Sequence, residues 1–160
     1  MSVLVIDVGT TGLRAAVVRN DGSVSHLNYE LCSPTSPFAG LVEFDALAMR
    51  DAVLRVARKT LAQAGNVDAV GITTQRASTV VWDANTGVPI GPALSWQDLR
   101  TVGECITAKI EHNLTLAPNQ TATKASWMLK NYPIPAGADI RIGTVDTWVA
   151  YVLSNGALHV

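Results

Sequence analysis

The first feature of this chain that could do chemistry is a short polar turn between two apolar runs. Val3-Leu4-Val5-Ile6 leads into Asp7-Val8-Gly9-Thr10-Thr11-Gly12, and Leu13 to Val18 follows, with Arg14 near its start. Glycines let a backbone approach a polyanion closely, and their free φ lets successive N–H groups point one way. Gly9, Thr10 and Thr11 therefore read as a phosphate cradle with added hydroxyl donors, and Arg14 can pair with phosphate oxygens. Asp7, at the carboxyl end of the first run, is acceptor-only and suits a hydrated Mg²⁺. No Lys follows the last Gly, and a strand stands where a helix is required, so neither a Walker A loop nor a dinucleotide fingerprint fits. The same spacing also suits an ordinary glycine-rich hairpin with an exposed Asp.

Two later segments repeat the pattern of an apolar run ending in polar groups. Val70-Gly71-Ile72-Thr73-Thr74 runs into Gln75 and Arg76, which could bind the hydroxyls of a small polar substrate, since ligands in open α/β sheets sit beyond the carboxyl edge. A salt-bridging loop arginine is the plainer reading of Arg76. Trp96-Gln97-Asp98-Leu99-Arg100 offers an aromatic face for the C–H side of a sugar or polyol, with Gln97 and Asp98 as hydrogen-bonding partners. Its alternative is a core Trp, the role expected of Trp82, Trp127 and Trp148.

The elements that must position these groups follow from periodicity. Asn20-Asp21-Gly22 is a hairpin turn, and beyond it Leu27, Tyr29 and Leu31 alternate with His26, Asn28 and Glu30, as in a half-exposed strand. Three antiparallel strands thus open the protein. Asp45 caps a helix whose apolar positions Met49, Val53, Val56, Ala57, Leu61 and Ala64 recur at three and four, and Gly65 ends it. Val67 to Thr73 reads as a buried strand, Ser78 to Trp82 as another, and Leu94 to Trp96 as a short one. Helices are expected over Leu99–Glu111 and Thr123–Asn131, and Thr144 can cap a last helix over Val145–Leu153. Ala157-Leu158-His159-Val160 reads as the start of a strand, and a lone strand leaves its backbone unpartnered. The expectation is one α/β domain over residues 1–160, incomplete at its carboxyl end.

Composition narrows the class. Only 16% of residues are charged and 48% are apolar, against roughly 25% charged in ordinary domains. That fits a compact α/β core, or apolar surface covered by a partner, and a homodimer is one such cover. Net charge is −1 with Lys and Arg scattered, so no nucleic-acid footprint is visible. No apolar run approaches membrane-spanning length, and Cys32 and Cys105 lack metal-ligand spacing. A cytoplasmic protein with reduced thiols is expected.

The ordered set of segments is more specific than any one of them. Asp7 to Arg14 resembles the first phosphate motif of the FGGY carbohydrate kinase family, of its glycerol kinase-like branch in particular. Gly40-Leu41-Val42-Glu43-Phe44-Asp45, Gly71 to Arg76, Thr79-Val80-Val81-Trp82, Thr86-Gly87-Val88-Pro89-Ile90, Ser95 to Arg100 and Gly143-Thr144-Val145-Asp146-Thr147-Trp148 continue the likeness in family order. The resemblance implies a ribonuclease H-like (actin-like ATPase) fold in which this chain is the N-terminal domain of a two-domain sugar kinase, with ATP and substrate between the domains. It implies transfer of the γ-phosphate of ATP to a hydroxyl of a polyol or sugar, with Mg²⁺ on the phosphates and an Asp as base. By match, Asp7 would hold the Mg²⁺–phosphate assembly, Thr10, Thr11 and Arg14 would contact phosphate, Arg76 would bind substrate hydroxyls, and Trp96 would pack on the carbon chain.

Departures qualify the match. Ala77 stands where glycerol kinases carry a hydroxyl-binding Glu, and Asn119 falls near the place of a substrate-binding Tyr. A site that loses such partners loses selectivity, so a larger polyol or a ketose fits better than glycerol. The resemblance places the catalytic Asp and the adenosine-binding residues beyond Val160, so the chain alone is expected to be inactive. A non-catalytic sugar- or protein-binding module derived from such a kinase is the alternative, and an actin-like ATPase of another branch fits the Arg76 and Trp96 segments less well.

Overall fold

The computed structural model describes all 160 residues. Strands β1 (Ser2–Val8), β2 (Gly12–Arg19) and β3 (Val24–Leu31) form the expected antiparallel opening, with β2 and β3 joined by the turn at Asn20–Gly22. After the short strand β4 (Glu43–Phe44) and helix α1 (Ala46–Ala64), strand β5 (Ala69–Thr74) lies parallel to β1, giving one sheet in the order β3-β2-β1-β5. The second sheet is built around β6 (Thr79–Asp83), which pairs antiparallel with β7 (Val88–Pro89), β8 (Ala93–Leu94) and β9 (Ile140–Thr144), while β4 joins β8. Helices α2 (Val102–His112), α3 (Thr121–Asn131) and α4 (Val145–Leu153) complete the chain. No helix is long and apolar enough to cross a membrane.

Helix α1 starts where Asp45 accepts from the amides of Leu47 and Ala48, at 2.8 and 3.0 Å, and stops at Gly65, whose φ of 78° suits glycine. Its buried stripe of Met49, Ala52, Val53, Val56 and Ala57 packs on Leu4, Ile6, Val8, Leu13 and Ala15 of the first sheet. Trp82 and Trp148 join the same core edge to face, their rings 5.2 Å apart, and Trp148 Nε1 donates to the carbonyl of Ala46. Trp127 is only half-buried, with the Arg100 guanidinium 4.8 Å above its ring.

Several expectations are corrected. In β3 the polar face is the covered one: Asn28 is buried and donates to Thr60 Oγ1 and Gln63 Oε1 at 3.0 Å each, while Leu27, Tyr29 and Leu31 face outward. The cause is an irregularity opposite Ala15 to Val17, with His26 at φ 53°, because an odd-residue shift in register swaps the faces of a strand. Strand β5 is not buried, since it ends its sheet and Val70 is 52% exposed. Helix α2 begins at Val102 rather than Leu99, because Asp98 holds the preceding turn through the amide and side chain of Arg100. Residues 157–160 form no strand; they fold back, with Thr147 Oγ1 donating to the carbonyl of Val160 and His159 Nε2 lying 3.1 Å from the carbonyl of Ile142.

Candidate active site

The turn after β1 closes through the Gly9 amide, which donates to the carbonyl of Gly12 at 3.0 Å. The carbonyl of Thr11 is taken by the amide of Cys32, but the Thr10 and Thr11 amides donate to no protein acceptor. Two adjacent free N–H groups at a sheet edge form the kind of concavity that accepts an anion. A Cβ on Gly12 would lie 2.5 Å from Tyr29 Oη, so glycine is needed for the Tyr29 ring to lie against the turn. Arg14 sits over that ring at 5.2 Å and donates to Asp7 Oδ2 at 3.1 Å. Both partners stay open, with the Arg14 and Asp7 side chains 51% and 40% exposed, which makes this a weak, displaceable surface pair.

The second polar segment is brought beside the first by sheet pairing. The Gln75 amide donates to the carbonyl of Val8 at 2.8 Å, one step beyond β5, and so aligns the ends of β1 and β5. Ser78, fully buried, then links the segments: its hydroxyl donates to Gln75 Oε1 at 3.2 Å and accepts from the Trp96 amide at 3.0 Å. Trp96 closes the circuit, since its indole N–H donates to Thr10 Oγ1 at 3.1 Å. Accepting leaves the Thr10 hydroxyl proton free for a ligand. Thr10, Gln75, Arg76, Ala77, Trp96 and Asn119 line a cleft of about 560 Å³ between the phosphate-type turn and the Trp96 face.

The fold brings together Asp7, Gly9, Thr10, Thr11 and Arg14 on one side, and Gln75, Arg76 and Trp96 on the other. It does not bring Asp98. That carboxylate is 0% exposed and accepts from the Val42 amide at 2.6 Å and from the amide, Nε and Nη2 of Arg100 at 2.8–2.9 Å. With every lone pair engaged inside the protein, Asp98 cannot bind substrate, and it shapes the loop that presents Trp96 instead. Burial works against the Arg100 charge, but its hydrogen bonds to Asp98 and Glu43 outweigh that and push its pKa up.

Two contributors escaped the sequence reading. Lys124 on α3 is fully buried, and its ammonium donates to the carbonyls of Ala77 at 3.0 Å and Asn119 at 3.3 Å, tying together two loops of the cleft. Burial pulls its pKa down to about 8, against the opposing attraction of Asp98. A signal was available: Lys124 falls four residues before Met128 on the covered stripe of an amphipathic helix, a place where a charge needs partners. Ser78 carried no signal, because a lone Ser before a strand has many uses.

The Asp7 carboxylate keeps Oδ1 free, and no cluster of three or more His, Cys, Asp or Glu side chains could cage a metal. That suits a Mg²⁺ that retains most of its waters and arrives with phosphate, and does not suit an ion held by protein alone.

Comparison with known proteins bears on the family and the fold. Residues 2–159 match the model of the N-terminal domain of the FGGY family of carbohydrate kinases. A glycerol kinase of Trichlorobacter lovleyi is 37% identical over 98% of this chain and 35% of its own length, and one of Deinococcus radiodurans is 34% identical over 99% and 35%. The chain thus spans about a third of the length of these curated relatives. Among solved structures, glycerol kinase of Plasmodium falciparum with ADP superposes with a TM-score of 0.85 at 21% identity, covering 97% of this chain and 34% of that one. Xylulose kinase of Rhodospirillum rubrum gives 0.84 at 20% identity, over 94% and 33%. The expected actin-like fold is borne out.

Proposed function

Because the chain belongs to the FGGY family of carbohydrate kinases, within that family's N-terminal domain, we propose that it forms one wall of a site transferring the γ-phosphate of ATP to a hydroxyl of a polyol or sugar. The observation that carries this reading is the Trp96–Thr10 hydrogen bond, which joins the phosphate-type turn directly to an aromatic substrate face. Catalysis of this class is mostly positioning and charge stabilisation. The Thr10 and Thr11 amides, the Thr10 hydroxyl and Arg14 receive phosphate oxygens, with Arg14 leaving Asp7 when a stronger anion arrives. Asp7 would hold the hydrated Mg²⁺, whose contribution is to offset phosphate charge. Trp96 takes the carbon chain, and Gln75, Arg76 and Asn119 take hydroxyls.

In the reaction the acceptor oxygen bonds to the γ-phosphorus as the bond to the oxygen of departing ADP breaks. The acceptor proton needs a base, and none of the six lining residues is one at neutral pH. In this reading the base is the aspartate that the resemblance places beyond Val160. The open position at Ala77 and the short Asn119 leave room for an acceptor larger than glycerol.

Amide and indole NMR of the 160-residue chain tests the reading directly. Mg-ADP should shift Thr10 and Thr11, while polyols or ketoses should shift the Trp96 indole and Arg76, both with millimolar Kd or weaker. No shift at any of these positions with ligand at about 0.1 M, roughly 100-fold above a millimolar Kd, would refute it.

A further inference from the structure

We propose that Lys124 is a positioning residue for the acceptor: its ammonium holds the loop after β5 and the loop before α3 at one span, and the acceptor binds across that span. This rests on the reading above and adds to it a residue that touches no ligand. The two loops supply Gln75, Arg76, Ala77 and Asn119 to the wall of the cleft. Lys124 Nζ donates to the carbonyls of Ala77 at 3.0 Å and Asn119 at 3.3 Å, and no other hydrogen bond joins residues 75–79 to residues 117–120.

Both loops are built to meet this one donor. Ala77 has φ 62°, a left-handed conformation that is costly for a residue with a Cβ, and its carbonyl is the one that Lys124 takes. In the other loop the carbonyls of Ala117, Pro118 and Asn119 are held from within by Thr123, Thr101 and Lys124, while Asn119 lines the cleft. A buried ammonium is a costly way to fill this place, since an apolar side chain of similar length would need no partners. No carboxylate pairs with it. Its charge is directed at two backbone dipoles, and such charge-assisted bonds are stronger than those of a neutral amine.

Burial has lowered the Lys124 pKa to about 8, so the strength of the bridge can be titrated. The neighbouring elements carry Arg76 after β5, Asp98 and Arg100 after β8, and Cys105 on α2, while Asp83 and Arg141 stand at the far ends of β6 and β9. Of these, only Asp98 bears on the Lys124 charge, and it favours the charged form although Arg100 and the Val42 amide already engage it.

Methyl NMR of the 160-residue chain, labelled at Ala and Thr, tests the proposal through protons that do not exchange. Ala77 reads glucitol and fructose, both uncharged, and Thr10 and Thr11 read Mg-ADP. At pH 7, Lys124→Met should weaken acceptor binding at least about tenfold and change Mg-ADP binding less than about twofold. In the wild type the acceptor affinity should fall about threefold or more from about pH 7 to about pH 9.5, as Lys124 loses its proton, and in Lys124→Met it should stay flat. Unchanged Thr10 and Thr11 signals verify that the variant folds; if it does not, the wild-type pH series decides. Equal weakening of both ligands marks a merely structural lysine and overturns the proposal. Full acceptor binding by Lys124→Met, or a flat wild-type profile, overturns it too, and each of these outcomes leaves the phosphotransfer reading standing. No shift of Ala77 by either acceptor in the wild type overturns that reading and this inference with it.

Discussion

Arg76 and Arg100 sit in look-alike stretches, each a strand followed by polar residues, and the fold puts them to opposite uses. Arg100 is 7% exposed, bonded to Asp98 and Glu43, and laid over Trp127. Arg76 is exposed at the cleft and has no protein partner. One arginine spends three of its five donors on Asp98 and Glu43 and holds a loop in place; the other leaves its guanidinium to solvent at the cleft. A charged side chain at the end of a strand is therefore not by itself a ligand group. What separates the two cases is whether a carboxylate is folded against it.

The contrast can be broken at several points. The largest effect is expected from Arg100→Met, which strands the buried Asp98 carboxylate and should cost about 3–5 kcal/mol in urea unfolding. A cost under about 1 kcal/mol would mean that the pair is not buried in solution.

Next comes Lys124. Its pKa of about 8 in the folded protein lies below the ordinary lysine value of 10.5, so between those values the unfolded chain holds the extra proton and rising pH favours the fold. Measured against Lys124→Met, wild-type stability should rise on the order of 2 kcal/mol from pH 8 to 10.5. A flat difference would place the ammonium in water.

Gly12→Ala should cost about 1 kcal/mol, because the new methyl meets Tyr29 and forces that exposed ring to swing away. Combining it with Tyr29→Ala should remove the penalty, as a double-mutant cycle would report. The smallest effect is expected from Arg76→Ala, which should change stability by less than about 0.5 kcal/mol in the same unfolding assay. A larger loss would reveal a partner for Arg76 and dissolve its contrast with Arg100.

Much of this was legible beforehand, and the failures have a common cause. Helix α1 was readable from Asp45, its apolar spacing and Gly65, because caps and periodicity are local. The opening strands were readable too, but not which face of β3 would be covered: that depended on a one-residue irregularity opposite β2, and only Asn28 meeting Thr60 and Gln63 shows the outcome. Asp98 looked like a ligand group because nothing in its neighbourhood along the chain announces Val42 as a hydrogen-bond partner 56 residues away. Lys124 was passed over for the same reason, since its acceptor at Ala77 lies 47 residues back.

The sequence by itself determined the three opening strands, the capped helix α1, the glycine-rich turn after β1 and the family likeness, all of which rest on residue types at short, fixed spacings, but not the short strands β4, β7 and β9. Tertiary structure alone decided which charged groups are spent and which remain free. A side chain's availability depends on burial and on partners drawn from distant segments, and these come together only when Ser78, Trp96 and Thr10 close their circuit and Asp98 and Arg100 close theirs.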